Sequence, residues 1–265
     1  MTNIQILVII SVGVMLLLFV SFLLSFILSQ RKKLKYQRDM QLLRETQQNQ
    51  LIEAAVRSEE IERHRIAEAL HDEVGAILSS SKLHLQGIQK NSLDEHDKQL
   101  YEKGQDLLDQ GIQKVRGISH NLHSNILKEF GLNEAISHFI TTVCKGTLLK
   151  TSTTLDGNYN TQNPENDISL YRIVQELVNN IMKYSHANEI MINSTFNQGQ
   201  LVLSIHHDGV GLTQEEFEKF RYNKEGLGLK NIQNRIILLK GSIEFNTEMN
   251  NSNINIYVPA KNYAA

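Results

Sequence analysis

The chain has 265 residues, 41% of them hydrophobic and 21% charged, with a formal net charge of −2 at pH 7. That balance excludes a protein whose main work is gripping nucleic acid, which needs a strongly basic face. Two prolines exclude proline-rich and collagen-like architectures, and a lone Cys144 excludes a disulfide framework or a multi-cysteine zinc site.

From Ile4 to Leu28 no residue is charged, and only Gln5, Ser11, Gly13, Ser21 and Ser25 interrupt the apolar run. As a helix the run is about 37 Å long, against a hydrocarbon core of roughly 30 Å. A signal peptide has a shorter apolar region, of ~7–15 residues, preceded by positive charge. Here the positive charge follows the run, at Arg31, Lys32, Lys33, Lys35 and Arg38. The pattern predicts a retained single-pass anchor over residues 1–30, with lipid around 4–28. The positive-inside bias places the rest in the cytoplasm. Only Met1, Thr2 and Asn3 precede the run, leaving no room for an extracytoplasmic sensor domain.

Residues 31–60 read as a signalling helix with a weak heptad frame through Tyr36, Met40, Leu43, Ala54 and Ile61, broken by Gln47, Gln50 and Arg57. Ile66, Leu70, Val74, Ile77 and Leu78 then form an apolar stripe of helical period. A second such stripe runs through Leu100, Leu107, Leu108, Ile112, Val115, Ile118 and Leu122. Polar Asn91–Lys98 suits the turn between them. Two such helices, over residues 61–128, cannot bury both faces alone, so a dimeric four-helix bundle is expected.

After about Gly131 the pattern changes to α+β, over residues 131–262. A helix over Asn133–Lys145 and a Thr-rich strand at Lys150–Leu155 come first. Asn163-Pro164 reads as N-cap and first residue of a helix running to Tyr184. Strands Glu189–Phe196 and Gln200–His207 flank a hairpin signal at Asn197-Gln198-Gly199. A glycine-rich region, a helix to Lys240 with Gly241 as its C′ residue, and strands Ser242–Asn246 and Ile254–Val258 complete the series. The whole predicts an antiparallel or mixed sheet with helices on one face.

Three patterns carry chemistry. His71 sits at the edge of the first apolar stripe, open to solvent and next to Asp72. An imidazole so placed can attack an electrophilic phosphorus through one nitrogen while a carboxylate holds the proton on the other. Next, Glu176, Asn180 and Lys183 or Tyr184 fall at i, i+4 and i+7/i+8 on one polar helix face. Carboxylate and amide oxygens together suit Mg²⁺, which bridges phosphates, and Lys183 can neutralise phosphate charge. An ordinary amphipathic helix has the same polar outside. Last, Asp208-Gly209-Val210-Gly211 precedes Gly226-Leu227-Gly228-Leu229. Asp208 ends a strand, where its carboxylate can accept from an adenine amino group. Gly209 and Gly211 let backbone approach a flat ligand. Gly226 and Gly228 precede a helix N-terminus that favours phosphate, and Leu212–Glu225 reads as a short mobile lid. Turn glycines give similar patterns.

With these residues in order, the sequence resembles a two-component sensor histidine kinase over roughly Ile61–Ala260. It is similar to the subgroup that partners response regulators with LuxR-type helix-turn-helix output. The resemblance implies a homodimer in the bacterial inner membrane, His71 as phosphoacceptor, and a GHKL (Bergerat) domain, an α/β sandwich, that binds ATP and Mg²⁺. It implies that Glu176, Asn180 and Lys183 match the N box, with Asn180 the Mg²⁺ ligand. Asp208, Gly209 and Gly211 match the first glycine box, and Gly226 and Gly228 the second. Two positions depart from the pattern: Ala76 stands where a Gln often serves dephosphorylation of the partner, and Tyr184 where His is common. The alternatives are a catalytically degenerate membrane-anchored ATP-binding scaffold that dimerises with another kinase, and a GHKL-type ATPase or serine kinase with an incidental His71.

Overall fold

The computed structural model describes residues 3–88, 94–122, 125–159, 163–220, 227–248 and 251–259. The chain forms two compact units, Met1–Leu51 and Ile52–Ala265. The first is helical, part of helix α1 (Asn3–Ala69), and carries a stretch long and apolar enough to cross a membrane. Its apolar side chains from Met15 to Leu28 are exposed.

In the second unit α1 ends at Ala69 and passes into a π turn, Leu70–Val74, then α2, Gly75–Gln86. The long amphipathic helix α3, Glu95–Leu122, runs back antiparallel to them. Two cross-links fix that direction: Ser119 Oγ donates to the Ala67 carbonyl at 2.9 Å, and Lys82 pairs with Asp109. The hairpin leaves Ile77, Leu83, Leu100, Leu107 and Ile118 exposed.

Helix α4, Asn125–Val143, begins eight residues before the expected Asn133 and is kinked at Gly131 (φ 83°, ψ 178°). That left-handed φ is open to glycine at little cost. The helix resumes after one extended residue, so Leu127 and Leu132 both reach the core. Helix α5, Pro164–Tyr184, starts where expected: the Asn163 side chain accepts from the Glu165 amide at 2.9 Å, and Pro164 supplies the preset φ of the first turn. Two short helices follow, α6 (Gln214–Phe220) and α7 (Leu227–Leu238).

The sheet has strands β1 (Lys150–Thr154), β2 (Glu189–Asn197), β3 (Gln200–His207), β4 (Ser242–Glu248) and β5 (Asn251–Pro259), in the order β1-β2-β3-β5-β4. It is mixed: β1 runs parallel to β2, reached by a crossover through α5, and the remaining pairs are antiparallel. The β2–β3 hairpin turns on Gln198 and Gly199, both at positive φ (49° and 75°), the geometry that matches strand twist. Alternate residues of the strands, such as Ile190, Ile192, Leu201, Leu203, Ile205 and Ile256, pack beneath the apolar faces of α4, α5 and α7. The architecture is two-layered, helices over one sheet face.

Two local expectations are corrected. Lys240, not Gly241, takes the left-handed conformation after α7 (φ 52°). Gly241 is required for another reason, because a Cβ there would lie 2.4 Å from the Tyr257 carbonyl of β5. The segment from Leu212, read as a mobile lid, contains α6, whose Phe217 is 1% exposed and stacks on Phe245 with ring centroids 4.6 Å apart. That part is pinned to the sheet; positions 221–225 lie outside the described residues.

Candidate active site

His71 and Asp72 occupy the π turn. Its signature is the Gly75 N–H donating to the Leu70 carbonyl, five residues back. A π turn holds one residue more than an α turn, and such turns concentrate at functional positions. His71 is exposed, and with Asp72 it lines a cavity of about 410 Å³ shared with Glu68, Arg116, His120 and Tyr171. Burial, with the adjacent His138, pushes the His120 imidazole below its ordinary value, so this neighbour stays neutral at pH 7. Arg116 brings a guanidinium to the same cavity wall.

A second cavity, of about 590 Å³, lies between α5, α7 and the sheet. The phase of α5 builds one wall. Ile173, Val174, Leu177, Val178 and Ile181 seat the helix on the sheet. Glu176, Asn180, Lys183 and Tyr184 consequently fall together along the cavity, as the i, i+4, i+7/i+8 spacing requires. Gly228, in the first turn of α7, meets them there: a Cβ on it would come within 2.0 Å of Glu176 Oε1. The absence of a Cβ at that point lets the first turn of α7, whose dipole favours negative charge, approach the α5 polar face. Gly211 also lines the cavity, packed so closely on β5 that a Cβ would meet Ser252 Oγ at 2.1 Å. Gly226 lies outside the described residues.

Asp208 and Gly209 are placed elsewhere. The Asp208 carboxylate accepts from the amides of Asn188 (2.7 Å) and Glu189 (3.0 Å), pinning the start of β2. Those two amides hold its carboxyl below the usual carboxylate range. It does not line the cavity, so the expectation that it meets an adenine amino group is corrected. The physical reason is strand phase: Leu201, Leu203, Ile205 and residue 207 face the helical layer, and residue 208 falls one step out of register with them. Gly209 serves an internal contact, since a Cβ there would lie 2.3 Å from the Ser185 carbonyl.

The residue that does face the cavity from the end of β3 is His207, 2% exposed. Burial, with His206 beside it, pushes its imidazole down against the opposing pull of Asp208, which keeps the ring neutral at pH 7. The alternation Leu-x-Leu-x-Ile-x-His was the available signal. Two buried arginines were also missed. Arg172 on α5 makes a bidentate pair with Glu60 of α1 and donates to the Leu122 carbonyl at 2.7 Å. Arg235 on α7 pairs with Glu59 at 3.0 Å.

Two family models match this arrangement. Residues 62–127, the helical hairpin with His71, match the model described as histidine kinase. Residues 165–262, which hold α5 to β5 and the second cavity, match that of the histidine kinase-, DNA gyrase B- and HSP90-like ATPases. The chain belongs to the histidine kinase family. Among relatives of this histidine kinase, the sensor histidine kinase MctS of Rhizobium johnstonii is 23% identical over 211 residues, covering 79% of this chain and 45% of MctS. The oxygen sensor histidine kinase NreB of Staphylococcus carnosus is 24% identical over 213 residues, covering 78% and 58%. The chain thus spans about half the length of the curated relatives it matches. Among solved structures, the histidine kinase domain of the Erythrobacter litoralis EL346 blue-light activated kinase is 12% identical, covering 71% of this chain and 94% of its own, with a TM-score of 0.45.

Proposed function

We propose that this histidine kinase transfers the γ-phosphoryl group of ATP to His71 and then to an aspartate of a response regulator. One observation carries the reading. An exposed histidine on a π turn sits in a segment matching the histidine kinase model, and a nucleotide-sized cavity with an α5 polar face and an α7 N-terminus sits in the ATPase-type segment.

In the attack, a ring nitrogen of His71 bonds to the γ-phosphorus as the bond to the bridging oxygen breaks and ADP leaves. Asp72, the adjacent carboxylate on the same cavity wall, holds the proton on the other nitrogen. Lys183 and the α7 N-terminus at Gly228 draw the phosphates along the α5 face, and Tyr184 stands at the mouth. Asn180 and Glu176 offer amide and carboxylate oxygens on that face, hard donors that fit Mg²⁺. When bound, the ion supplies charge neutralisation across the phosphates. Among the described residues the two cavities share no lining residue, so phosphorylation needs the ATP-binding lobe to move against the helical stem. The Glu60–Arg172 and Glu59–Arg235 pairs hold the present arrangement, giving signals from α1 a two-state element to bias.

The exposed stripe of Ile77, Leu83, Leu100, Leu107 and Ile118 supports a homodimer that closes a four-helix bundle. The apolar run at 4–28 with basic residues after it supports a single-pass anchor with the kinase in the cytoplasm. The partner, by family resemblance, is a regulator with LuxR-type helix-turn-helix output. The test is incubation of the micelle-solubilised chain with γ-labelled ATP and Mg²⁺. Acid-labile, alkali-stable label is expected, absent in His71→Gln and Asn180→Ala. Label that persists in His71→Gln refutes the assignment.

A further inference from the structure

His207 lines the second cavity, and its Nδ1 is a buried nitrogen without a hydrogen-bond partner among the described residues. Buried polar atoms are nearly always paired, and an orphan in a cavity wall points to a ligand that pairs with it. Its polar neighbour on that wall is already satisfied: Ser185 Oγ donates to the Ile181 carbonyl at 2.6 Å and accepts from the Ala187 amide at 3.2 Å.

Burial grades the cavity from end to end. His207, Phe245 and Ile254 are buried, whereas Tyr184, 72% exposed, and Val210 stand in solvent. A purine nucleotide fits such a gradient in one sense. The triphosphate keeps to the hydrated mouth, so the base enters with the edge opposite its glycosidic bond leading. That edge carries the 6-substituent, an amino group in adenine and a carbonyl in guanine.

We propose that His207 is the specificity-determining residue of the nucleotide site, hydrogen-bonding the purine 6-substituent and discriminating only weakly between adenine and guanine. The inference rests on the nucleotide reading above. A carboxylate at this position would only accept, selecting the amino group and repelling the carbonyl. A neutral imidazole has one donor and one acceptor nitrogen whose roles exchange between tautomers, so it can complement either substituent. Burial keeps the ring neutral, and the neighbouring carboxylate, Asp208, is turned away and held by the amides of β2.

The test measures binding of ATP, GTP and purine riboside triphosphate, which lacks a 6-substituent, to the micelle-solubilised full chain with Mg²⁺. Wild type, His207→Leu and His207→Asp are compared. Each variant is judged by its ratio between ligands, which is independent of the fraction folded. Wild type is expected to bind ATP and GTP within about tenfold of each other, and to lose about tenfold when the 6-amino group is removed, the worth of one desolvated hydrogen bond. His207→Leu is expected to bind ATP and the unsubstituted analogue equally, and His207→Asp to prefer ATP over GTP by about a hundredfold or more. If His207→Leu keeps the wild-type ratio between ATP and the analogue, the proposal is overturned while nucleotide binding stands. If wild type binds no triphosphate at all, the nucleotide reading falls and this inference with it.

Discussion

Replacing Arg172 by methionine keeps much of the side-chain volume and removes the guanidinium. Arg172 is 4% exposed. Its Nε and Nη2 meet the two Glu60 oxygens at 3.0 and 2.5 Å, and Nη2 also reaches the Leu122 carbonyl at 2.7 Å. Nη1 donates to Gln175 Oε1 at 2.7 Å and to the Asn121 carbonyl at 3.2 Å. The substitution therefore strands the Glu60 carboxylate and the Leu122 carbonyl at the C-terminal end of α3, and leaves the Asn121 carbonyl only the Gln175 Nε2 donor at 3.3 Å. Breaking a fully buried ion pair from one side costs about 3–5 kcal/mol. The Glu60 side chain is 22% exposed and keeps part of its hydration, which lowers the expected loss to about 2–4 kcal/mol. Glu60→Gln alone costs less, and the double mutant isolates the pair, with an expected coupling of about 1.5–3 kcal/mol. Urea denaturation of the micelle-solubilised chain, followed by circular dichroism, measures all four species. A coupling below about 0.5 kcal/mol would show that the contact does not join stem to lobe energetically. The same variant is expected to phosphorylate His71 faster, because the lobe is released from an arrangement in which the two cavities share none of the described residues; an unchanged rate refutes the idea that this clasp restrains transfer.

Gly209→Ala and Gly228→Ala separate two kinds of close approach. The first meets backbone, the Ser185 carbonyl at 2.3 Å, and is expected to destabilise by about 1–3 kcal/mol in denaturation. The second meets the tip of the Glu176 side chain at 2.0 Å, which can swing aside; stability should change little while nucleotide affinity falls, and the reverse ranking would contradict both readings. Glu59 gives a pH signature. Burial would raise its carboxyl, but Arg235 and Arg63 outweigh burial and hold it below its ordinary value. A depressed carboxyl stabilises the fold above its unfolded value near 4.5 and loses that contribution as pH falls through the folded value. The stability difference between wild type and Glu59→Gln should be flat above about pH 5 and shrink below it; a difference that persists at pH 3 refutes the pairing.

Local chemistry made much of the fold legible. Asn163-Pro164 marked the start of α5, the 200–207 alternation marked β3, and the helical spacing of Glu176, Asn180 and Lys183 placed them on one wall because the apolar stripe opposite them is long enough to fix the phase of α5. Non-local contacts hid the rest. Gly131 read as the end of one region, yet Leu127 before it and Leu132 after it share a core, so the helix bends rather than stops. The π turn at His71 has no local sequence signal, since nothing in Leu-His-Asp-Glu-Val differs from an ordinary helix. Arg172 and Arg235 find their partners 112 and 176 residues away, beyond the reach of any window.

The run His206-His207-Asp208-Gly209 shows how such an error arises at a site. Read for chemistry, the carboxylate is the natural partner of an adenine amino group, and it stands next to the glycine. Read for phase, the strand has already decided: Leu201, Leu203 and Ile205 commit every second side chain to the helical layer, so residue 207 continues inward and residue 208 does not. Phase prevails because shifting β3 by one residue would expose three fully buried aliphatic side chains, a cost of several kcal/mol at about 1.5–3 kcal/mol each. One carboxylate–adenine hydrogen bond returns only about 1.5–3 kcal/mol. On α5 packing and chemistry agree instead: Glu176, Asn180 and Lys183 fall on the face that packing leaves open. Where strand register and ligand chemistry disagree about a residue, the buried alternation decides which side chain reaches the site.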